Sequence, residues 1–212
     1  MARTFDQLTP PAALVEIGRD FHARGWMAGT AGNLSIRVHE RGVDSFWITA
    51  SGLPKGRMEE TDCLRIGVAE GAIVEQLQPR TKPSAESSIH QTIYRLFPEA
   101  RACLHVHTVD ACLACENVCP GVEEMPLPPL EMIKGLGIWE QHPQVTLPLF
   151  DNILDVTQIA AAIERRFHAT PPCLPALMIR NHGITVWGNS AQEAYDRVEI
   201  VEFIMSYMAG RR

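Results

Sequence analysis

Ala102-Cys103-Leu104-His105-Val106-His107-Thr108 is a short apolar run that carries two histidines two residues apart. In a β-strand successive side chains point to opposite faces, so His105 and His107 project one way while Leu104 and Val106 face the other. Such a pair of imidazoles is either a polar patch on an exposed strand face or two ligands of a divalent metal. A third histidine bears on the choice. Asn181-His182-Gly183 lies between two strand-like runs, Leu177-Met178-Ile179-Arg180 and Ile184-Thr185-Val186-Trp187. Gly183 is expected to supply a positive φ that turns His182 inward. Three histidines so placed fit a catalytic metal site that keeps one coordination position open.

Moving outward from these histidines, the chain alternates strand and helix patterns. Thr9-Pro10-Pro11 followed by Leu14, Ile17 and Phe21 predicts a helix capped by Thr9. Gly29-Thr30-Ala31-Gly32-Asn33 then leads into a strand with Leu34, Ile36 and Val38 alternating, and Phe46–Ala50 gives a second strand running into Ser51-Gly52-Leu53-Pro54-Lys55-Gly56. Each glycine-bearing loop is either an ordinary turn or a set of N–H groups for an oxyanion. Cys63–Val68 and Ala72–Leu77 read as a scaffold hairpin. Ser84 is the expected N-cap of a helix carrying Ile89, Ile93, Leu96 and Phe97, whose N-terminus is a third candidate anion contact. Glu86 falls in its first turn, where a carboxylate also serves the helix dipole.

A short helix should follow the histidine strand, and Pro120–Pro129 should wrap over the surface. Glu131, in Leu130-Glu131-Met132-Ile133-Lys134-Gly135, reads as solvent-facing on residue type alone. Val145–Phe150 is strand-like. A helix capped by Asp155 carries Val156, Ile159, Ile163 and Phe167, and the last helix begins at a Ser190/Glu193 capping box and runs through Tyr195, Val198, Val201, Phe203 and Met205. Several strands are too close in sequence for helical crossovers, which predicts an α/β sandwich around a mixed or antiparallel sheet.

The 212 residues, 46% of them hydrophobic, suit one domain spanning 1–212. A formal net charge of −6 argues against nucleic acid as a partner, since duplex affinity rests on clustered Lys and Arg. Met1–Gln7 holds no apolar leader region and no later run is long enough to span a bilayer, so a cytoplasmic protein without membrane contact is expected. The six cysteines are then thiols and not a disulfide framework. Cys112, Cys115 and Cys119 lack a fourth partner for an iron–sulfur motif and sit at helix-face spacing, so they are expected as buried core thiols, as are Cys63, Cys103 and Cys173. His22, His39, His90, His142 and His168 belong to no motif and are expected on the surface or on helices.

Five segments in this order resemble the class II aldolase superfamily: Gly29-Thr30-Ala31-Gly32-Asn33-Leu34-Ser35, Ile48-Thr49-Ala50-Ser51-Gly52, Lys82-Pro83-Ser84-Ala85-Glu86, His105-Val106-His107-Thr108 and Arg180-Asn181-His182-Gly183. The resemblance runs from Gly29 to about Glu202. Within the superfamily, Leu130–Gly135 and Val186-Trp187-Gly188 are most similar to the methylthioribulose-1-phosphate dehydratase family of methionine salvage. The resemblance implies a three-layer sandwich of helices around a central, mainly antiparallel sheet, assembled as a homotetramer with sites near subunit interfaces. It implies one Zn2+ per subunit on His105, His107 and His182, a phosphorylated sugar substrate whose phosphate is held by Gly32, Asn33, Ser51, Gly52 and Ser84, and Glu131 as acid/base. Aldolase relatives use instead the glutamate at the position of Glu86. Some dehydratase relatives contact substrate with a cysteine where this chain has Ser87. The alternatives within the superfamily are a sugar-phosphate aldolase or epimerase and, outside catalysis, an adducin-like interaction module without metal ligands.

Overall fold

The structure, a computed structural model, describes residues 4–116 and 118–210. The first three residues of the Met1–Gln7 segment therefore lie outside the described residues. Ala102–Val106 is strand β5, and its alternation is the one read from the sequence: Ala102, Leu104 and Val106 are buried in one core and Cys103 in the other. The remaining strands are β1 (Asn33–Glu40), β2 (Val43–Thr49), β3 (Cys63–Gly67), β4 (Ile73–Gln76), β6 (Glu124–Pro126), β7 (Thr146–Phe150), β8 (Ala176–Ile179) and β9 (Gly183–Gly188). They form one sheet in the order β4-β3-β2-β1-β5-β9-β8-β7-β6, which places β5 at its centre. Neighbours pair antiparallel except β7 and β8, which are parallel.

Five helices cover the two faces. The core on one face takes α1 (Pro10–Ala23), α3 (Val109–Glu116) and α5 (Ala191–Ala209) through Leu14, Phe21, Ala114, Val198 and Ile204. The core on the other takes α2 (Ser87–Leu96) and α4 (Val156–Ala169) through Ile89, Ile93, Ile163 and Phe167. Each of these leucine, valine, isoleucine and phenylalanine side chains contributes on the order of 1.5–3 kcal/mol by leaving water. The three-layer α/β sandwich of the first reading is therefore the fold. Thr9 caps α1 by accepting from Ala12 N (3.4 Å), Asp155 caps α4 from Thr157 N (3.0 Å), and Ser190 caps α5 from Glu193 N (3.1 Å). The return arm of that last box bonds Asn189 N, one residue earlier than the motif requires.

Four local expectations are corrected. Pro120–Pro129 is not wholly superficial: Glu124–Pro126 pairs with β7 as the edge strand, and Met125 and Leu127 are buried. α3 stops at Glu116, so Cys119 falls outside the helix and is exposed, as is Cys173, while Cys63, Cys103 and Cys115 are buried. Phe203 points out of α5, because its neighbours Val201, Ile204 and Met205 already occupy the inward arc. Ser84 is not the cap of α2. That helix starts at Ser87 behind Glu86, and Ser84 instead accepts from Glu86 N (3.3 Å) in the preceding turn. No helix among the described residues is long and apolar enough to cross a membrane.

Candidate metal centre and anion cavity

Pairing sets three polar side chains abreast on one face of the sheet, because Asn33 on β1 stands opposite His105 on β5, which stands opposite Thr185 on β9. His107 lies just beyond β5, where its N–H bonds Trp26 O (3.0 Å) and it bridges to Met27. His182 sits in the turn between β8 and β9. Positive φ is needed there, but Asn181 supplies it (φ 50°), and not Gly183 as the sequence suggested. Gly183 is required for a different reason: a Cβ on it would lie 2.1 Å from Val106 O, so only glycine lets β9 approach β5 this closely.

These elements bring the three predicted histidines together, and with them Glu86 at the start of α2. One ligand atom from each of the four lies within 4.8 Å of all the others. His105 Nε2 is 2.8 Å from His107 Nε2 and 3.4 Å from His182 Nε2. His105 is 1% exposed, and its Nδ1 meets the Ile184 carbonyl at 2.9 Å. A carbonyl only accepts, so Nδ1 carries a proton there, and Nε2 is the nitrogen left facing the cluster. Burial, together with the charges of His105 and His182, lowers the His107 pKa to about 3, which favours the neutral imidazole a metal requires. Three ring nitrogens converging beside one carboxylate fit a divalent metal ion.

Glu86 Oε1 is 2.8 Å from His182 Nε2, 3.6 Å from His105 Nε2 and 3.8 Å from His107 Nε2. Burial alone would raise its pKa, but hydrogen bonds and charges of the surrounding imidazoles outweigh that and hold the carboxyl well below the usual carboxylate range. Its other oxygen accepts from Asn33 Nδ2. Asn33 Oδ1 in turn faces His90 Nε2 at 2.5 Å, and His90 Nδ1 faces Ser35 Oγ at 2.6 Å, which meets Tyr94 OH at 2.7 Å. The acceptor-only carboxylate fixes the direction of the whole relay: the Asn33 amide must turn its nitrogen to Glu86 and its oxygen to His90. His90 is fully buried, with its pKa lowered to about 3 by burial. Sequence reading left it as an ordinary helix histidine. Its one available signal was a polar residue on the apolar Ile89/Ile93 side of α2.

Next to the cluster is an open cavity of about 290 Å³, lined by Thr30–Asn33, Ala50–Gly52, Ser84–Glu86, His107 and Val156. Every residue proposed for phosphate is in that lining. Not all their polar groups are free for a ligand: Ser51 N–H bonds Lys82 O (2.9 Å), and the Asn33 amide is committed to Glu86 and His90. Larger space lies between β7 and α4 and shares none of these lining residues. Two further residues missed by sequence reading adjoin the cluster. Asn152 Oδ1 faces His182 Nδ1 at 3.3 Å, and Lys55 lies behind the two cavity loops.

Glu131 is not brought to the histidines within the chain. It begins a short 3-10 segment, Glu131–Leu136, with its side chain 81% exposed and 2.7 Å from Lys134 Nζ. It lines a separate hollow with Ile133, Ile138 and Pro143. Ser87 opens α2 and its hydroxyl donates to Ser84 O (2.7 Å).

Comparison with known proteins follows the same lines. A protein of Microcystis aeruginosa named methylthioribulose-1-phosphate dehydratase is 51% identical to this chain, over 94% of each. One of the same name from Leptospira biflexa is 42% identical, over 96% of this chain and 98% of the relative. The crystal structure of L-fuculose-1-phosphate aldolase from Thermus thermophilus superposes with a TM-score of 0.71 at 26% identity, covering 95% of this chain and 93% of the other. The class II aldolase and adducin N-terminal domain family matches residues 12–208, and the chain belongs to that family.

Proposed function

We propose that the protein removes water from 5-methylthioribulose 1-phosphate to give 2,3-diketo-5-methylthiopentyl 1-phosphate, a step of methionine salvage. The observation that carries this reading is the 51% identity, over nearly the whole of both chains, to a relative named for that reaction. The clustered histidines and Glu86 beside a cavity of about 290 Å³ are what the reaction needs. A zinc ion on His105, His107 and His182 would supply a Lewis acid for the C2 carbonyl and C3 hydroxyl oxygens, where negative charge develops as the C3 proton leaves. Glu86, kept ionised at the cluster, accepts that proton. Gly32, Asn33, Ser51, Gly52 and Ser84 surround the phosphate and so fix the carbon chain with C3 toward Glu86.

Loss of the C4 hydroxyl needs a proton donor on the leaving side, and Glu131 is that group. Its place outside its own chain's cluster fits a cytoplasmic homotetramer in which Glu131 reaches the histidines of a neighbouring copy. The four groups Glu86, His105, His107 and His182 weigh against an adducin-like module, which would have no use for them. An aldolase would share the anion cavity and the metal but break a carbon–carbon bond, and the position of Glu86 suits it equally well. The test of the dehydratase reading is turnover of the substrate by purified protein before and after chelation. Turnover should vanish on metal removal and return with one equivalent of zinc per chain; undiminished turnover in the stripped protein overturns the metal mechanism.

A further inference from the structure

A phosphate monoester carries close to two negative charges at neutral pH. Yet the cavity that would hold it has neither lysine nor arginine in its lining. A buried cation, Lys55, lies behind the lining. Lys55, in the short turn after Pro54, is 1% exposed, and its ammonium donates to the carbonyls of Thr30 (3.2 Å) and Leu53 (3.1 Å). Thr30 belongs to one cavity loop, and Leu53 directly follows Gly52 of the other. Two of the three ammonium hydrogens are thus spent on holding the two loops together. No carboxylate lies within ion-pair distance of Lys55 among the described residues, the charge of Glu86 reaching it only from farther away.

Burying an ammonium without a counter-ion costs several kcal/mol, and two neutral carbonyls offset only part of that. The cost shows in its acidity: burial lowers the pKa to about 8, against a smaller opposing effect of Glu86. An anion arriving in the adjoining cavity would offset what the two carbonyls leave uncompensated. Lysine also suits the position better than arginine, since a compact charge at the end of a flexible stem can sit beneath two backbone turns.

We propose that Lys55 is the counter-charge of the phosphate subsite and the clamp between its two loops, acting on the phosphate from behind the backbone. The proposal rests on the phosphate reading of that cavity. It makes Lys55 a positioning residue whose effect falls on substrate binding and not on the proton transfers.

The test uses the metal-loaded protein, with inorganic phosphate as probe, and compares Lys55→Met, Lys55→Gln and Ser51→Ala. Both Lys55 variants should weaken phosphate binding at least tenfold and raise KM for the phosphorylated substrate in the same proportion, with kcat and metal content within about twofold of the parent. Lys55→Gln keeps an amide donor for the two carbonyls, so it carries the test if Lys55→Met does not fold. Weak binding in Lys55→Met with parental affinity in Lys55→Gln would overturn the counter-charge. If Ser51→Ala weakens phosphate while both Lys55 variants bind it normally, the cavity is the phosphate subsite and Lys55 has no part in it. If none of the three alters phosphate binding, the phosphate reading of the cavity falls, and the proposal falls with it.

Discussion

Glu86 and His182 are separated by 96 positions in the chain, and their side chains meet at 2.8 Å between Oε1 and Nε2. The contact joins the residue that precedes α2 to the β8–β9 turn and closes the ring of groups around His105 and His107. A carboxylate only accepts, so His182 Nε2 donates to Glu86 across that distance, and the pair forms a site in which one group can move a proton while the others hold a cation.

Replacing His182 or His107 with Ala should therefore abolish stoichiometric metal binding and activity while the fold survives, because neither ring belongs to either apolar core. Metal content measured by elemental analysis, alongside circular dichroism, checks this. His105→Ala should cost stability as well, since it leaves the buried Ile184 carbonyl without its imidazole partner, about 1–3 kcal/mol. Full metal occupancy in His182→Ala would contradict the three-histidine site.

The two acids make separable predictions. Glu86→Gln and Glu131→Gln should each lower kcat by at least about a hundredfold, the expected effect of losing a general acid or base. Mixing inactive chains tells them apart. Oligomers reassembled from Glu131→Gln and His182→Ala chains should recover part of the activity, since one chain offers an intact cluster and the other an intact Glu131. Oligomers of Glu86→Gln with His182→Ala should recover none, because both defects strike the same cluster. Equal recovery in the two mixtures would remove Glu131 from its role between copies.

His90→Phe keeps the volume on the core side of α2 but strands the Asn33 amide oxygen, while the Ser35 hydroxyl keeps Tyr94 OH and the Cys103 carbonyl. A buried group left without a partner costs about 1–3 kcal/mol, so a clear drop in melting temperature is expected. With Asn33 free to flip, Glu86 loses its held orientation, and kcat should fall more than KM rises. A variant with lowered stability but parental kcat would make the relay purely structural.

Stability should respond to pH through Glu202. It is 2% exposed on α5, its Oε1 has no hydrogen-bond partner among the described residues, and burial raises its pKa to about 8. The folded state thus keeps a proton that the unfolded state, with its ordinary carboxyl pKa, has already released. Stability from this group is complete below about pH 4.5 and is lost as pH rises toward 8. Glu202→Gln should leave the melting temperature unchanged near pH 4.5 and raise stability near pH 8 by about 1–3 kcal/mol. Parallel pH profiles for the two proteins would contradict the assignment.

Period and spacing made much of this legible beforehand. The alternation at Ala102–Val106 placed His105 correctly, and the caps at Thr9, Asp155 and Ser190 located three helix starts, because both signals are local. What escaped depended on partners distant in sequence. Gly183 is glycine because β5 crowds it, which no inspection of its own turn reveals. His90 and Lys55 gain their roles from groups 57 and 25 positions away. Glu131 was legible as an exposed acid, and a single chain leaves it so.

The central claim is that the bond broken is carbon–oxygen at C4. Incubating the zinc-loaded protein with 5-methylthioribulose 1-phosphate and identifying the products by mass spectrometry and 31P NMR tests it directly. The expected outcome is a single phosphorylated product lighter than the substrate by one water, with no aldehyde. Dihydroxyacetone phosphate together with an aldehyde fragment, formed at a rate abolished by Glu86→Gln and unaffected by Glu131→Gln, would contradict it and make the protein an aldolase.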